Sequence, residues 1–173
     1  MCPTRWVLRF EGLAAFMENY VNILDWLGDV VTSNDFDLVT VADAQSYLCS
    51  LQNFTIFISL RTLHNLLAII NLLHVKVQLQ SMCLGSFKSA LEDVLVLINA
   101  NIAQRAQRAR DFFDGSSRIA ASSGIDLPSL PRIGRRSSSV LQISSDNDAV
   151  SEYFVNLYGK VYETASTAIT SRF

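Results

Sequence analysis

The sequence predicts an all-α protein, a multi-helix bundle forming a single helical region over residues 1–173 with one long exposed loop at 122–145. Three observations predict it. Apolar residues recur at three- and four-residue steps through most of the chain. Gly and Pro are scarce, at 7 and 3 of 173 residues, too few for the turns of an all-β sandwich. Half the residues are hydrophobic and 17% are charged, enough apolar surface for a core.

The first helical segment begins at Pro3 or Thr4, with Thr4 suited to the N-cap. Leu8, Leu13, Phe16, Tyr20, Leu24 and Leu27 give it an apolar stripe to about Val31, as one helix or two in succession. Thr32-Ser33-Asn34-Asp35 is a turn signal. Val39-Thr40-Val41 favours β-structure locally, but its neighbours outweigh it, and the helical pattern resumes from Asp43. It continues to Leu79 and is too long for one helix, so a break is expected near Gln52 and Asn53. Phe54 to Val77 is the most apolar stretch, yet Arg61, His64, Asn65, Asn71, His74 and Lys76 interrupt it. Ionisable groups near the centre of a membrane span are costly, so it reads as a core helix and no membrane partner is expected.

Gly85 marks the next boundary, with Ser86 as cap. A helix then runs from Phe87 to about Phe113, its face formed by Leu91, Val94, Leu95, Ile98, Ile102, Ala106 and Phe112. Arg105, Arg108 and Arg110 fall in its C-terminal half, the favourable end for cations. Gly115-Ser116-Ser117 is a candidate interruption. Ser122 to Ser145 gathers Gly124, Pro128, Pro131 and Arg135-Arg136-Ser137-Ser138-Ser139, which is loop chemistry. Asp146 or Asp148 caps a last helix whose face is Tyr153, Phe154, Leu157, Val161, Ala165 and Ile169. The helical pattern is still running at Ser171-Arg172-Phe173, as expected of a truncated chain.

Catalytic and metal chemistry find no pattern. Cys2, Cys49 and Cys83 are widely spaced, with no CxxC pair, and read as free thiols. His64 and His74 are ten residues apart, about 15 Å along a helix, too far to share an ion. The carboxylates are scattered; Glu92 and Asp93, for example, are adjacent and point apart. No GxSxG, HExxH, GxGxxG or P-loop pattern occurs. The expectation is a non-enzyme with no cofactor and no metal. The N-terminus lacks a basic region followed by an apolar run, so a secretory signal is not expected and the location is nuclear or cytoplasmic.

The formal net charge is −2, so composition does not announce a nucleic-acid binder. Locally the balance differs. Arg105 to Arg136 holds seven arginines against three aspartates, guanidinium groups suited to backbone phosphate. Arg135-Arg136-Ser137-Ser138 has the form of a basic-directed kinase site, with Ser138 as acceptor; a phosphate there would oppose the local positive field. At the other end, Arg5-Trp6 pairs a phosphate-binding group with a ring able to stack on an unpaired base. Trp6 as an apolar helix anchor is the plainer reading.

Cys2-Pro3-Thr4-Arg5-Trp6, then Arg9, Phe10 and Glu18-Asn19-Tyr20, resembles the Thr-Arg-Trp segment of hAT-superfamily transposases, closest to the domesticated, zinc-finger-MYM-associated branch. Val77-Gln78-Leu79-Gln80-Ser81 is similar to the Leu-Gln-Ser helix end of that branch. Gly124 to Arg132 resembles its Pro-containing linker, and Tyr153-Phe154 through Arg172-Phe173 its final helix. The resemblance implies the helical insertion of an RNase H-like transposase. It also implies that the acidic catalytic triad and the zinc finger lie outside this chain. Arg5 and Trp6 match the family's Arg-Trp pair, whose Trp is associated with a flipped base at the transposon end. The expected function is therefore a truncated or domesticated, non-catalytic fragment. Its ancestral role is organising transposon-end DNA through Arg5, Trp6, Arg105, Arg108, Arg110, Arg135 and Arg136. The alternative is a helical module for protein interaction or self-association, without DNA binding.

Overall fold

A computed structural model describes residues 5–78, 83–129 and 147–172, with the side chains of residues 5–9 and 147 outside the description. Thr4 and Asp146, expected as caps, and residues 130–145 of the expected loop lie outside it as well. The described residues form seven helices and no strand: α1 Arg5–Glu18, α2 Tyr20–Thr32, α3 Leu38–Gln52, α4 Phe54–Val77, α5 Leu84–Ala103, α6 Arg105–Ser122 and α7 Asn147–Thr170.

Side-chain caps decide two boundaries. Asp37 accepts the amides of Val39 and Thr40, each at 2.9 Å, and its second oxygen accepts the Thr40 hydroxyl. This cap starts α3 at Leu38, five residues before the expected Asp43, and overrides the local β preference of Val39-Thr40-Val41. The break expected near Gln52 and Asn53 falls at Asn53. Its Oδ1 accepts the amides of Thr55 and Ile56 at 2.9 and 3.3 Å, closing the N-terminus of α4. A cap of this kind is worth about 1 kcal/mol.

Three expectations need correction. α5 begins at Leu84 with Cys83 as N-cap, so Gly85 and Ser86 stand inside its first turn rather than before it. The helix expected from Phe87 to Phe113 breaks at Gln104, the joint between α5 and α6. Gly115-Ser116-Ser117 does not interrupt α6. The Ser116 and Ser117 hydroxyls donate to the Phe112 and Phe113 carbonyls four residues back, which leaves the backbone ladder in place. α6 ends instead at Ser122, where Gly124 takes a φ of 66°. The Ile125 amide then reaches back to the Ala120 carbonyl, and the Asp126 amide ties the segment to α3 through the Gln52 carbonyl at 2.7 Å.

The main core gathers aromatics from four helices: Tyr20 of α2, Phe54 and Phe57 of α4, Phe113 of α6 and Phe154 of α7. Phe54 lies 5.8 Å from Phe113 and 5.3 Å from Phe154, both edge-on. A second core joins Leu66, Val94, Ile98, Ala109, Tyr158 and Tyr162 across α4 to α7, and a third closes the α2–α3 hairpin with Leu27, Val30 and Ala44. Ala106 and Tyr153, expected on apolar faces, are exposed, whereas Tyr158 and Tyr162 are buried.

α4 is long and apolar enough to cross a membrane by length and composition, with a mean hydropathy of 1.6 over an 18-residue window. Its first half supplies core residues, including Phe54, Phe57 and Ile58. Its second half is less buried than a core helix should be, with Leu72 and Val75 about half exposed.

Candidate functional site

The expected phosphate-binding arginines begin with α6. Because the helix breaks at Gln104, Arg105, Arg108 and Arg110 stand at the N-terminal end of a helix and not at a C-terminal end. There the macrodipole opposes positive charge in the first turn, where Arg105 and Arg108 stand, and both have local acceptors. Arg105 Nη1 meets Glu163 Oε1 of α7 at 2.9 Å. Arg108 Nε donates to Gln104 Oε1 at 2.8 Å, and its Nη1 donates to Asn101 Oδ1 at 3.1 Å.

Asn101 is the centre of this junction. It is buried, its Oδ1 also accepts the Tyr158 hydroxyl at 3.0 Å, and its Nδ2 donates to the Leu97 carbonyl at 2.9 Å. The Tyr162 ring lies 4.7 Å from that of Tyr158. Asn101, Arg108 and Tyr158 thus join α5, α6 and α7 through one polar network. Arg110 is the one member of the arginine trio with no hydrogen-bond or ion-pair partner among the described residues. Arg5 and Trp6 open α1, but their side chains, together with Arg135, Arg136 and Ser138, lie outside the described residues.

Arg61 is a polar feature that sequence reasoning missed. Its guanidinium sits 5.6 Å from the centre of the Phe57 ring and 5.0 Å from that of Phe112, and it donates to Ser116 Oγ at 2.8 Å. Burial lowers its pKa, and the two ring faces stabilise the cation in place of a carboxylate. A Phe one turn before a lone Arg in an apolar stretch was the available signal. His64 stacks on Phe10, with ring centres 5.6 Å apart. Among the described residues, no group of three or more His, Cys, Asp or Glu is placed to hold a metal ion.

Two buried phenols give the fold an alkaline limit. Tyr20 donates to the Leu51 carbonyl at 2.6 Å, and burial pushes its pKa up to about 12. Burial also raises the Tyr162 pKa strongly, reinforced by its hydrogen bond and charge interaction with Tyr158 and opposed by Arg108. Unfolded tyrosine ionises near pH 10. Both groups therefore contribute stability that is complete below about pH 10 and is lost as pH rises through the folded values. Tm should fall above pH 10 in thermal melts, and Tyr20→Phe and Tyr162→Phe should each flatten that fall. A Tm independent of pH across this window would contradict the burial of these hydroxyls.

An open apolar groove of about 600 Å³ runs between the start of α5 and the end of α7, walled by Leu84, Phe87, Leu91, Leu95 and Ile169. Cys83 stands beside it, exposed. Its thiol pKa is lowered by the Ser86 side chain, then by the amides of Ser86 and Gly85. No family model, curated protein or solved structure matches the chain.

Proposed function

We propose that this chain is a non-catalytic helical module that binds other proteins. The observation that carries the reading is the uncovered apolar surface of the α2–α3 hairpin. Trp26 is 61% exposed, Leu38 88%, Val39 72% and Tyr47 64%. Single exposed hydrophobes are ordinary on any protein, but several on one small element mark a contact surface. The commitment of Arg105 and Arg108 to Glu163, Gln104 and Asn101 supports the same reading, because those guanidinium groups already have partners.

The double substitution Leu38→Ser with Tyr47→Ser tests it. Exposed side chains outside the core contribute within about 0.5 kcal/mol, so Tm should shift by only a few degrees. Fluorescence of an apolar dye bound to the native chain should fall clearly. A large loss of Tm with unchanged dye binding would show that these residues serve the fold and not docking.

A second reading is a domesticated hAT-like fragment that organises transposon-end DNA. Arg110, an exposed guanidinium without a partner among the described residues, favours it, as does the Arg5-Trp6 pair of the resemblance. Arg135 and Arg136 would extend the phosphate contacts.

A further inference from the structure

The α2–α3 hairpin has a one-sided charge. From Tyr20 to Gln52 it carries Asp25, Asp29, Asp35, Asp37 and Asp43, and no Lys, Arg or His. The basic-free stretch extends from Phe10 to Leu60. None of these five carboxylates pairs with a cation among the described residues. Asp37 serves as the α3 cap and Asp35 accepts the Ser33 hydroxyl, which leaves Asp25, Asp29 and Asp43 without side-chain partners among the described residues.

These acids are interleaved with apolar surface. On α3, Val39, Asp43 and Tyr47 follow at four-residue steps and so share one face. On α2, Asp25 and Asp29 share a face and border an open cleft of about 480 Å³, in which Leu24 and Leu48 supply apolar wall. The Ser123–Gly124 turn also lines that cleft. A long basic side chain fits such a place. Its methylene stem buries against Leu24 and Leu48 while its charged head meets the two carboxylates. Phosphate-bearing or acidic partners are repelled by the same field.

We propose that this hairpin docks a Lys/Arg-rich amphipathic segment of a partner protein, with one basic side chain seated in the α2–α3 cleft against Asp25 and Asp29. The proposal rests on the interaction-module reading and adds the chemistry of the partner. Apolar residues of the segment cover the exposed hydrophobes, and its cations neutralise a surface that lacks any of its own.

The test uses the full chain and three short fluorescent helical peptides with one Leu pattern, whose other face is Lys, Gln or Glu. The Lys peptide should bind at least about tenfold more tightly than the Gln peptide, and the Glu peptide least of all. Its affinity should fall with added salt. Asp25→Asn with Asp29→Asn should weaken the Lys peptide about tenfold, leave the Gln peptide unchanged and leave Tm unchanged. Equal binding of the Lys and Gln peptides would overturn the proposal and leave the module reading standing. No binding of any peptide, by a chain that also remains monomeric, would overturn both. Self-association abolished by the same double substitution would overturn the assignment to a separate protein, in favour of a second copy of this chain.

Discussion

Phe54→Ala is expected to destabilise the protein by about 3–5 kcal/mol, the range for truncating a buried aromatic. Phe54 is 2% exposed and sits where α4 meets α6 and α7, in contact with the rings of Phe113 and Phe154. Those three helices come from distant parts of the chain, so little local adjustment can refill the space. Urea denaturation measures the effect. The matched control is Phe36→Ala, at a residue 45% exposed in the α2–α3 loop, where the loss should stay near 0.5 kcal/mol. Similar losses at the two sites would contradict the placement of the core.

Asn101→Leu is the second large effect. Leu keeps the branched shape of Asn but carries bulkier methyl groups, so some overpacking adds to the loss of the hydrogen bonds. It leaves the buried Tyr158 hydroxyl without its acceptor, at a cost of about 1–3 kcal/mol, and releases Arg108 Nη1 to solvent. Adding Tyr158→Phe should recover part of the loss, because that orphaned hydroxyl is then gone while the buried Tyr162 hydroxyl gives up its own bond to it. Urea melts of the two single variants and the double variant form the cycle, and a strongly non-additive result is expected. Strict additivity would show that the two side chains act independently. The same cycle bears on Arg108: a guanidinium held by Asn101 and Gln104 contributes to the α5–α6 joint before it contributes to any ligand.

The helical class was legible because residue spacing repeats on almost every element. So was the joint at Asn53, where a polar pair meets a resumed apolar stripe. The joint at Gln104 was not, for a physical reason. Ile98, Asn101, Ala109, Phe113, Ser116 and Ala120 are all buried, and Ala109 falls eleven residues, three helical turns, after Ile98. The buried stripe therefore stays in phase across the break, and periodicity contains no mark of it. The early start of α3 was hidden because one Asp37 cap outweighed three β-branched or β-favouring residues. At the candidate site, the identity of the arginines was legible and the intramolecular partners of Arg105 and Arg108 were not. Arg105 finds Glu163 in another helix 58 residues away, a pairing that no local pattern encodes. Tyr158 and Tyr162 are not on the face expected for the last helix, yet they are buried, with the polar tip of Tyr158 satisfied by Asn101. The acid-rich hairpin was the opposite case. A stretch of some fifty residues without Lys, Arg or His was plain in the sequence, but its meaning depended on knowing that Trp26, Val39 and Tyr47 stay uncovered.

The chain carries two tryptophans, and they report on the two surfaces in question: Trp26 on the α2–α3 hairpin and Trp6 at the start of α1. Emission spectra of the Trp6→Phe and Trp26→Phe variants, titrated with the Lys/Leu peptide and with hairpin DNA, separate protein docking from DNA binding in one measurement. If the hairpin is the working surface, the peptide moves Trp26 emission to shorter wavelength and DNA changes neither tryptophan. Salt-sensitive quenching of Trp6 by DNA, with Trp26 indifferent to the peptide, would contradict the account.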